Sequence, residues 1–235
     1  MDKKIRSTNL SVVLPAYKDE LTIGNVVTSL IDYIKPALHN LEIIIVEDGS
    51  PDNTPTVCDA LAKRYQELRV IHHETNMGYG KTLIDGFEHA IHDLIFYTDG
   101  DSQYDLSELL TALEVFDTTE IDALIGYRHP RRDGIIRWII SKIYNLLFKI
   151  LFFVSVKDVN CSFKLIKRNV VKNLHLNSES AFIDAQIILR LKKNGFRIKE
   201  MAVRNFPNRF RRSHFINPRL ILEMLYEMFK ERLFT

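Results

Sequence analysis

The chain has 235 residues, of which 46% are hydrophobic and 26% are charged, a composition that argues against disorder. A chain of this length can bury a full core as one α/β domain, or as one domain with an appendage. The net charge of +2 conceals an asymmetry, because residues 1–127 carry 9 Lys and Arg against 22 Asp and Glu, whereas residues 128–235 carry 23 against 8. This division suggests an acidic, metal-using half joined to a basic half that faces a phosphate or an anionic membrane surface.

The cysteines and the N-terminal residues indicate the cellular compartment of the protein. Cys58 and Cys161 lie far apart, without a CxxC pair or a Cys/His cluster, which indicates reduced thiols in a cytoplasmic protein. Residues Met1–Thr8 are few, polar and charged, so we expect no signal peptide. Nucleic acid also suits a basic surface, but helix-turn-helix, zinc-finger and RNP patterns are missing from the sequence, and we expect no nucleic-acid partner.

Apolar runs alternate with helical patterns through the first half of the chain. Five runs have the profile of strands, at Leu10–Leu14, Glu42–Glu47, Arg69–His72, Leu94–Thr98 and Ala123–Gly126. Helical patterns lie between them, near Asp19–Ile34, Thr54–Tyr65, Lys81–Ile91 and Leu106–Phe116. The alternation predicts βαβ units, and hence an α/β fold with a mostly parallel central sheet and helices on both faces.

The polar segments that follow four of these runs are where we expect the chemistry. Ligands of parallel α/β sheets bind beyond the carboxyl ends of the strands. The segments in question are Pro15–Glu20, Glu47–Asn53, Asn76–Lys81 and Asp99–Gln103.

The run Leu94–Thr98 ends in two carboxylates, Asp99 and Asp101, one residue apart. Placing two carboxylates at the end of a core strand is costly unless a cation or a hydrogen-bond network compensates them. Mg²⁺ or Mn²⁺, held by one or two carboxylates and by phosphate oxygens of a substrate, is the usual compensation. Asp-Gly-Asp is also a good turn sequence, so these residues alone leave both interpretations open.

Acidic residues also follow the first two strands. Glu47 and Asp48 stand where a carboxylate can accept a hydrogen bond from a base or hold a ribose hydroxyl. Tyr17 can stack on a base, and Asp19 can bind the base or the ribose. The structural alternative is helix capping, by residues 52–54 in the second segment and by acids at a helix N-terminus in the first.

Gly78, Gly80 and Lys81 invite comparison with a phosphate-binding loop. A Walker A motif requires Gly at the position of Thr75, so that motif is excluded. A Gly-rich helix N-terminus near a sugar phosphate remains as the interpretation.

Two helical stretches in the basic half are amphipathic. Residues 137–156 are apolar except for a narrow stripe of Lys142, Asn145 and Lys149. Two central lysines argue against a membrane-spanning helix, whereas a helix in the membrane interface fits well. A buried helix of a larger core and an oligomer contact are the alternatives. The last helix, predicted from Pro218 to Arg232, also needs a surface to cover.

Six motifs in order resemble those of family 2 glycosyltransferases with the GT-A fold, most closely the polyprenyl-phosphate branch that includes dolichol-phosphate mannose synthase-like enzymes. The motifs are Val13–Tyr17, Val46–Ser50, Asn76–Lys81, Asp99–Gln103, Gly126–Arg128 and Asp158–Leu165. Later segments fit as well, at Phe182–Gln186, Gly195–Glu200 and Val203–Phe215.

The resemblance implies roles by position. Asp99, Asp101 and Gln103 would hold Mg²⁺ or Mn²⁺ on the donor diphosphate, and Arg128 and Arg209 would meet phosphate groups and join the two aspartates as catalytic residues. The candidate substrate-binding residues are Pro15, Ala16, Tyr17, Asp19, Val46, Glu47, Asp48, Gly78, Lys81, Gly100, Arg128, Arg209, Arg211 and Arg212.

The chain departs from the family pattern at four places. Glu47 and Asn160 stand where Asp is common, and Gln186 stands where Glu is common, which weakens any proposal of a carboxylate base there. Arg211 and Arg212 replace the usual Gly of the last motif, so the contacts of that loop are in doubt.

The resemblance therefore implies an inverting, metal-dependent transfer from a UDP- or GDP-sugar. A polyprenyl phosphate is the expected acceptor, because an anionic oxygen can attack the anomeric carbon without a strong base. A saccharide hydroxyl is the alternative and would need a base, for which Asp158 and Asp184 are candidates. A non-catalytic sugar-nucleotide-binding module is a further alternative.

We expect a single domain over residues 1–235, with a nucleotide and metal half at 1–127 and an acceptor half at 128–235. The protein is expected to be peripheral on the cytoplasmic face of the membrane, with oligomerisation left open.

Overall fold

The computed structural model of the chain describes residues 7–130, 134–207 and 218–233. Within these ranges seven strands form one sheet: β1 Asn9–Ala16, β2 Asn40–Glu47, β3 Leu68–His72, β4 Leu94–Tyr97, β5 Ala123–Arg128, β6 Lys164–Lys167 and β7 Ile198–Val203. The helices of the same ranges are α1 Ile23–Ser29, α2 Thr54–Arg64, α3 Tyr79–His89, α4 Glu108–Thr118, α5 Ile135–Phe152, α6 Arg168–Lys172, α7 Ile183–Lys193 and α8 Pro218–Leu233. Helix α1 continues as a π-helical turn over Leu30–Ile34.

The strand order is β3-β2-β1-β4-β6-β5-β7. Strand β1 lies parallel to β2 and β4, β2 to β3, and β5 to β7, whereas β6 runs antiparallel to both β4 and β5. The prediction of a mostly parallel sheet is thus confirmed, and all five predicted strands are present. The strands β6 and β7 were not predicted, and β6 is the one that reverses direction.

Alternate side chains of the strands pack into two cores, one on each face of the sheet. In β1, Val12 and Leu14 join a cluster with α1 and α4, whereas Val13 joins a cluster with α3 and α7. Apolar burial on both faces explains the near-continuous hydrophobic character of the inner strands. The predicted helices on both faces are confirmed.

The neighbouring parallel strands β1, β2 and β4 end at the same edge of the sheet. The segments that follow them, 17–22, 48–53 and 98–107, therefore meet there, as the sequence predicted. The predicted helix at Asp19–Ile34 begins later, at Ile23, because Asp19 forms a turn in which its carbonyl accepts from the amides of Thr22 and Ile23.

Helices α5 and α8 pack against each other on one face and leave apolar side chains exposed on the other. Ser141, Tyr144 and Phe148 of α5 and Met224 and Met228 of α8 are buried. The exposed apolar side chains of the two helices are Ile135, Ile136, Trp138, Ile139, Ile143, Leu146, Ile150, Leu222, Tyr226, Phe229 and Leu233.

We name this set of exposed side chains the α5–α8 apolar surface. Among the described residues, no helix has the length and apolar character needed to cross a membrane. The helix predicted at 137–156 is shifted and shorter, ending where Phe153 adopts a left-handed conformation with φ of 57°.

Candidate active site

Asp99 and Asp101 lie just beyond the carboxyl end of β4. Asp99 accepts two hydrogen bonds from hydroxyl groups: Tyr79 Oη donates to Oδ1 at 2.8 Å, and Ser162 Oγ donates to Oδ2. Tyr79 is the first residue of α3, and Ser162 lies just before β6. Two separate segments therefore fix the orientation of this one carboxylate. Neither hydroxyl partner was assigned a role from the sequence, although both lie in motifs that were singled out.

The electrostatics of this pair are unfavourable without a cation. Burial and the neighbouring carboxylate of Asp101 raise the pKa of Asp99 from 3.8 to about 7, against the opposing effect of the hydrogen bonds from Ser162 and Tyr79. Burial and the charge of Asp99 raise the pKa of Tyr79 well above its usual value, so its hydroxyl remains a donor. An oxygen-seeking divalent cation would remove this cost.

The donor set fits such a cation. In the described part of the chain, three or more His, Cys, Asp or Glu side chains nowhere gather in a group that could hold a metal. Two carboxylates are nevertheless enough for Mg²⁺ or Mn²⁺ when substrate phosphates and water supply the other ligands. Gln103 donates to Asp101 through its backbone N–H at 3.1 Å and its side-chain amide at 2.5 Å. Gln103 thus orients Asp101, and its role as a metal ligand stays a prediction.

The loop after β1 packs directly on the loop that carries the carboxylates. A Cβ atom on Gly100 would lie 3.2 Å from the carbonyl oxygen of Pro15 and 3.4 Å from Asp19 Oδ2. Asp19 is buried and accepts from the backbone N–H of Tyr17 at 3.1 Å. The structure therefore brings these predicted residues together, with Ala16 buried at the end of β1.

The carboxylates of Glu47 and Asp48, at the end of β2, accept hydrogen bonds from backbone N–H groups of the protein itself. Asp48 accepts from the backbone N–H groups of Met77 at 2.7 Å and Gly78 at 3.1 Å, and Glu47 accepts from that of Ser50 at 2.7 Å. The side chain of Val46 is fully buried in the core. Nucleotide contacts by these residues stay predictions, Val46 being buried in the middle of the sheet between Pro15 of β1 and Ile71 of β3.

His73 is a residue that sequence reasoning left without a functional role. Its Nδ1 lies 2.7 Å from Asp48 Oδ1, and its Nε2 lies 3.0 Å from Asp85 Oδ2. Lys81 pairs with the other oxygen of Asp85 at 2.6 Å. The predicted residues Asp48 and Lys81 are thus joined through His73, which directly follows β3, and Asp85, a link between separate segments that local sequence patterns could not reveal.

Arg128, at the end of β5, forms a bidentate ion pair with Asp158. Nε lies 2.7 Å from Oδ2 and Nη2 lies 2.9 Å from Oδ1. Arg128 also lines a small cleft between α5 and α8, together with Arg137, Tyr144 and Asn160. Within the described residues, the Tyr144 hydroxyl and Asn160 Oδ1 are buried without a hydrogen-bond partner. The cleft therefore offers polar groups that a ligand could satisfy.

The two candidate bases are both ion-paired. Asp158 is held by Arg128, and Asp184 Oδ1 accepts from Tyr97 Oη at 2.7 Å and from Lys164 Nζ. Both carboxylates are buried, so taking up a proton would break an ion pair inside the protein. Arg209, Arg211 and Arg212 lie outside the described residues, and their predicted roles stay predictions.

A mostly parallel sheet whose carboxyl edge carries a pair of carboxylates defines an α/β protein with its ligand site at that edge, as the GT-A fold requires. The chain matches the model of the family described as glycosyl transferase family 2 over residues 11–175, and it belongs to that family. The resemblance stated from the sequence is confirmed.

Several curated proteins are similar to this chain. Glycosyltransferase AglD of Haloferax volcanii is 32% identical over 206 residues, which cover 83% of this chain and 32% of AglD. The dodecaprenyl-phosphate galacturonate synthase of Rhizobium johnstonii is 29% identical over 96% of this chain and 68% of its own length. The dolichyl-phosphate beta-glucosyltransferase of Saccharomyces cerevisiae is 29% identical over 83% of this chain and 66% of its own length. The chain thus spans about a third of the first relative and about two thirds of the other two.

Solved structures support the fold. Glucosyl-3-phosphoglycerate synthase from Mycobacterium tuberculosis, in complex with Mn²⁺, UDP and glucosyl-3-phosphoglycerate, superposes with a TM-score of 0.75 at 17% identity, covering 96% of this chain and 80% of that one. The mannosyltransferase PcManGT from Pyrobaculum calidifontis, in complex with GDP-Man and Mn²⁺, gives 0.66 at 15% identity, covering 97% and 65%. The predicted GT-A fold is confirmed.

Proposed function

We propose that this chain transfers a sugar from a nucleotide-sugar to a polyprenyl phosphate at a membrane surface, with inversion at the anomeric carbon. The observation that carries the proposal is the pairing of both candidate bases. Asp158 is bound by Arg128 and Asp184 by Lys164, while burial and the charge of Asp101 disfavour the ionised form of Asp99 at the sheet edge. Such a site is equipped for a leaving diphosphate and for an acceptor that needs no deprotonation.

The donor end of the site is built around the carboxylate pair. Asp99 and Asp101 would hold Mg²⁺ or Mn²⁺, which when bound supplies positive charge for the leaving nucleoside diphosphate. Tyr79 and Ser162 orient Asp99, and Gln103 orients Asp101. Structures of glucosyl-3-phosphoglycerate synthase with Mn²⁺ or Mg²⁺ and UDP, and of PcManGT with GDP-Man and Mn²⁺, support a divalent cation here.

The acceptor supplies its own nucleophile. A phosphate oxygen forms the new bond to the anomeric carbon, the bond from that carbon to the donor phosphate breaks, and its electron pair leaves with the nucleoside diphosphate. Because a phosphate is ionised at neutral pH, the protein needs only to position it. The names of two similar proteins, a dodecaprenyl-phosphate galacturonate synthase and a dolichyl-phosphate beta-glucosyltransferase, support this class of acceptor.

The cleft between α5 and α8 is the place for the acceptor phosphate. Arg137 supplies a cationic group, and the Tyr144 hydroxyl, buried without a partner among the described residues, supplies a hydrogen-bond donor. Arg128 lines the same cleft with its guanidinium paired to Asp158. Arginine suits phosphate because its planar donors form bidentate hydrogen bonds. The cleft borders the α5–α8 apolar surface, which suits the polyprenyl chain.

Membrane contact follows from the same surface. Among the described residues, the α5–α8 apolar surface gathers eleven large exposed apolar side chains on two packed helices, and Lys142 and Lys149 are exposed on α5 beside them. Anionic lipid on the cytoplasmic face would attract the basic half of the chain. The protein is therefore proposed to be peripheral, with its donor site open to water.

Acceptor choice tests the proposal. The chain is incubated with MnCl₂, with radiolabelled UDP-glucose, UDP-galacturonate or GDP-mannose, and with one of three acceptors: vesicles that contain undecaprenyl phosphate, vesicles that contain undecaprenol, or a soluble oligosaccharide. We expect lipid-extractable label with the phosphate and none with the alcohol. Equal transfer to undecaprenol, or transfer only to a soluble saccharide, would show that a hydroxyl is the acceptor and would overturn the proposal.

A further inference from the structure

A loop outside the site described above presses on the glycine turn at the start of α3. The backbone N–H of Gly80 donates to the carbonyl of Glu179 at 2.9 Å. A Cβ atom on Gly78, whose φ is +93°, would lie 2.6 Å from that same carbonyl oxygen. The two backbones are thus in direct contact, and the position of the turn depends on the loop over residues 177–180.

That turn matters for the donor site because it carries two of its anchors. Gly78 donates to Asp48, and the next residue, Tyr79, donates to Asp99. A shift of the loop over residues 177–180 would therefore move the hydroxyl that orients Asp99.

Gln186 of α7 is the residue that holds this loop. Its Oε1 accepts from the backbone N–H groups of Asn177 at 2.9 Å and Ser178 at 3.0 Å. Its Nε2 donates to Asn177 Oδ1 at 2.6 Å and to Glu231 Oε2 of α8 at 3.1 Å. Only 1% of the side chain is exposed. A carboxamide can accept and donate at once, whereas a carboxylate in this place could only accept.

Helix α8 also contacts the loop over residues 177–180 and the residues that hold it. Glu231 also pairs with Arg190 at 2.7 Å, and Glu227 accepts from the hydroxyl of Ser178. The loop over residues 177–180 is thus held by α7 on one side and by α8 on the other.

We propose that Gln186 and Glu231 are positioning residues for the donor site, acting through the loop over residues 177–180 on the Gly78–Gly80 turn and on Tyr79. The role rests on the proposed function, since it concerns how tightly the nucleotide-sugar is bound. It accounts for the presence of Gln at a position where the family resemblance leads one to expect Glu.

Exchanging the side chains of Gln186 and Glu231 tests whether their hydrogen bond positions the donor site. Gln186→Glu places a carboxylate against Glu231 Oε2 and Asn177 Oδ1, so we expect Mn²⁺-dependent binding of UDP or GDP to weaken by about tenfold, the equivalent of one lost charge-assisted hydrogen bond. In the double variant Q186E/E231Q, the new amide at position 231 donates to the new carboxylate at position 186, so binding is stronger than in Q186E and recovers in part, the remaining loss reflecting the broken ion pair of Arg190 with position 231. Gln66→Glu, the same change at a surface glutamine, is the matched control and should bind as wild type does.

Isothermal titration with MnCl₂ and UDP or GDP gives the affinities, and transfer kinetics give KM for the donor and for undecaprenyl phosphate separately. A donor-specific rise in KM, rescued by the swap, supports the proposal. Equal changes in both KM values, or no rescue, would make the role merely structural and overturn it. If Q186E does not fold, Ser178→Ala, which removes the donor to Glu227, must weaken nucleotide binding severalfold, and unchanged binding overturns the proposal.

The failures of the two proposals are distinguishable. Wild-type protein that binds neither nucleotide with Mn²⁺ overturns the proposed function, and the positioning role with it. Wild-type protein that binds, alongside a Q186E variant that binds equally well, overturns the positioning role alone.

Discussion

Asp99 carries an electrostatic cost in the folded protein, because burial and the charge of Asp101 disfavour its ionised form. Its carboxylate is oriented by Tyr79 and Ser162 and lies close enough to Asp101 for the second charge to raise its pKa. Without a cation, the ionised form of Asp99 is therefore disfavoured in the folded state. Strain of this kind is typical of sites that bind a charged ligand.

Replacing Asp99 by Asn should stabilise the metal-free protein in a pH-dependent way. The pKa of Asp99 is raised on folding from 3.8 to about 7, so its ionised form destabilises the folded state progressively between those two values and by a constant amount above them. We expect the gain in Tm of Asp99→Asn to grow as pH rises from about 4 to about 7 and then to level off, reaching several degrees.

Calorimetry in EDTA across that pH range measures the gain. Addition of Mn²⁺ with UDP or GDP should erase it, because the wild type then gains stability that the variant cannot. A gain of the same size at every pH would contradict the account of Asp99.

The partners of the site residues explain why the sequence revealed only part of the site. Asp99 and Asp101 were recognisable because they follow the apolar strand β4 within four residues. The ion pair of Arg128 with Asp158 spans 30 residues, and the contact of Asp48 with His73 spans 25. Whether a carboxylate is free or paired depends on such distant partners, so sequence patterning could propose Asp184 as a base without revealing that Lys164 neutralises it.

At the scale of elements, a strand could be predicted where its hydrophobic pattern in the sequence was strong. The five predicted strands are apolar runs, four of which end in polar turns, and each lies within two residues of its predicted bounds. The unpredicted β6 has four residues, with Lys164 and Lys167 at its ends. Lys164 is fully buried only because Asp184 from α7 meets it, which is a tertiary contact that no local pattern contains.

Helices α5 and α8 show the opposite case, in which the pattern was strong but its meaning was open. Their apolar side chains alternate between a face packed on the domain and the exposed α5–α8 apolar surface. Within the described residues α5 is therefore not a buried helix, and membrane contact and an oligomer contact are both compatible with its exposed apolar side chains.

The double variant Ile143→Gln/Ile150→Gln distinguishes these two. Both side chains are exposed on α5, so we expect the fold to persist while affinity for vesicles of anionic lipid falls by about tenfold or more per side chain. Ile91→Gln, at an isoleucine with a similar exposure of 61%, is the matched control and should leave flotation with vesicles unchanged.

Flotation of the double variant at the wild-type level would contradict membrane contact through α5. Sedimentation velocity without lipid tests the oligomer contact. If the wild type is a dimer and the double variant is a monomer, the surface is an oligomer contact.

At the scale of the whole molecule, the acidic and basic halves share one sheet. Strand β6, from the basic half, pairs with β4 and places Leu165 opposite Phe96. It also pairs with β5, so the sheet runs without interruption across the boundary at residue 127. This continuity supports our proposal of a single domain, in which the acidic half contributes the carboxylates and the basic half the groups that meet phosphate.

The measurement that tests the central claim most directly is Mn²⁺-dependent sugar transfer to undecaprenyl phosphate by the wild type and by Asp101→Asn. Asp32→Asn, at an exposed aspartate away from the site, is the matched control. We predict that EDTA abolishes transfer by the wild type, that D101N lowers the rate by about two to three orders of magnitude with an unchanged circular dichroism spectrum, and that D32N is fully active. Full activity of D101N, or wild-type transfer that persists in EDTA, would contradict the claim that these carboxylates hold the metal that carries the charge of the leaving diphosphate.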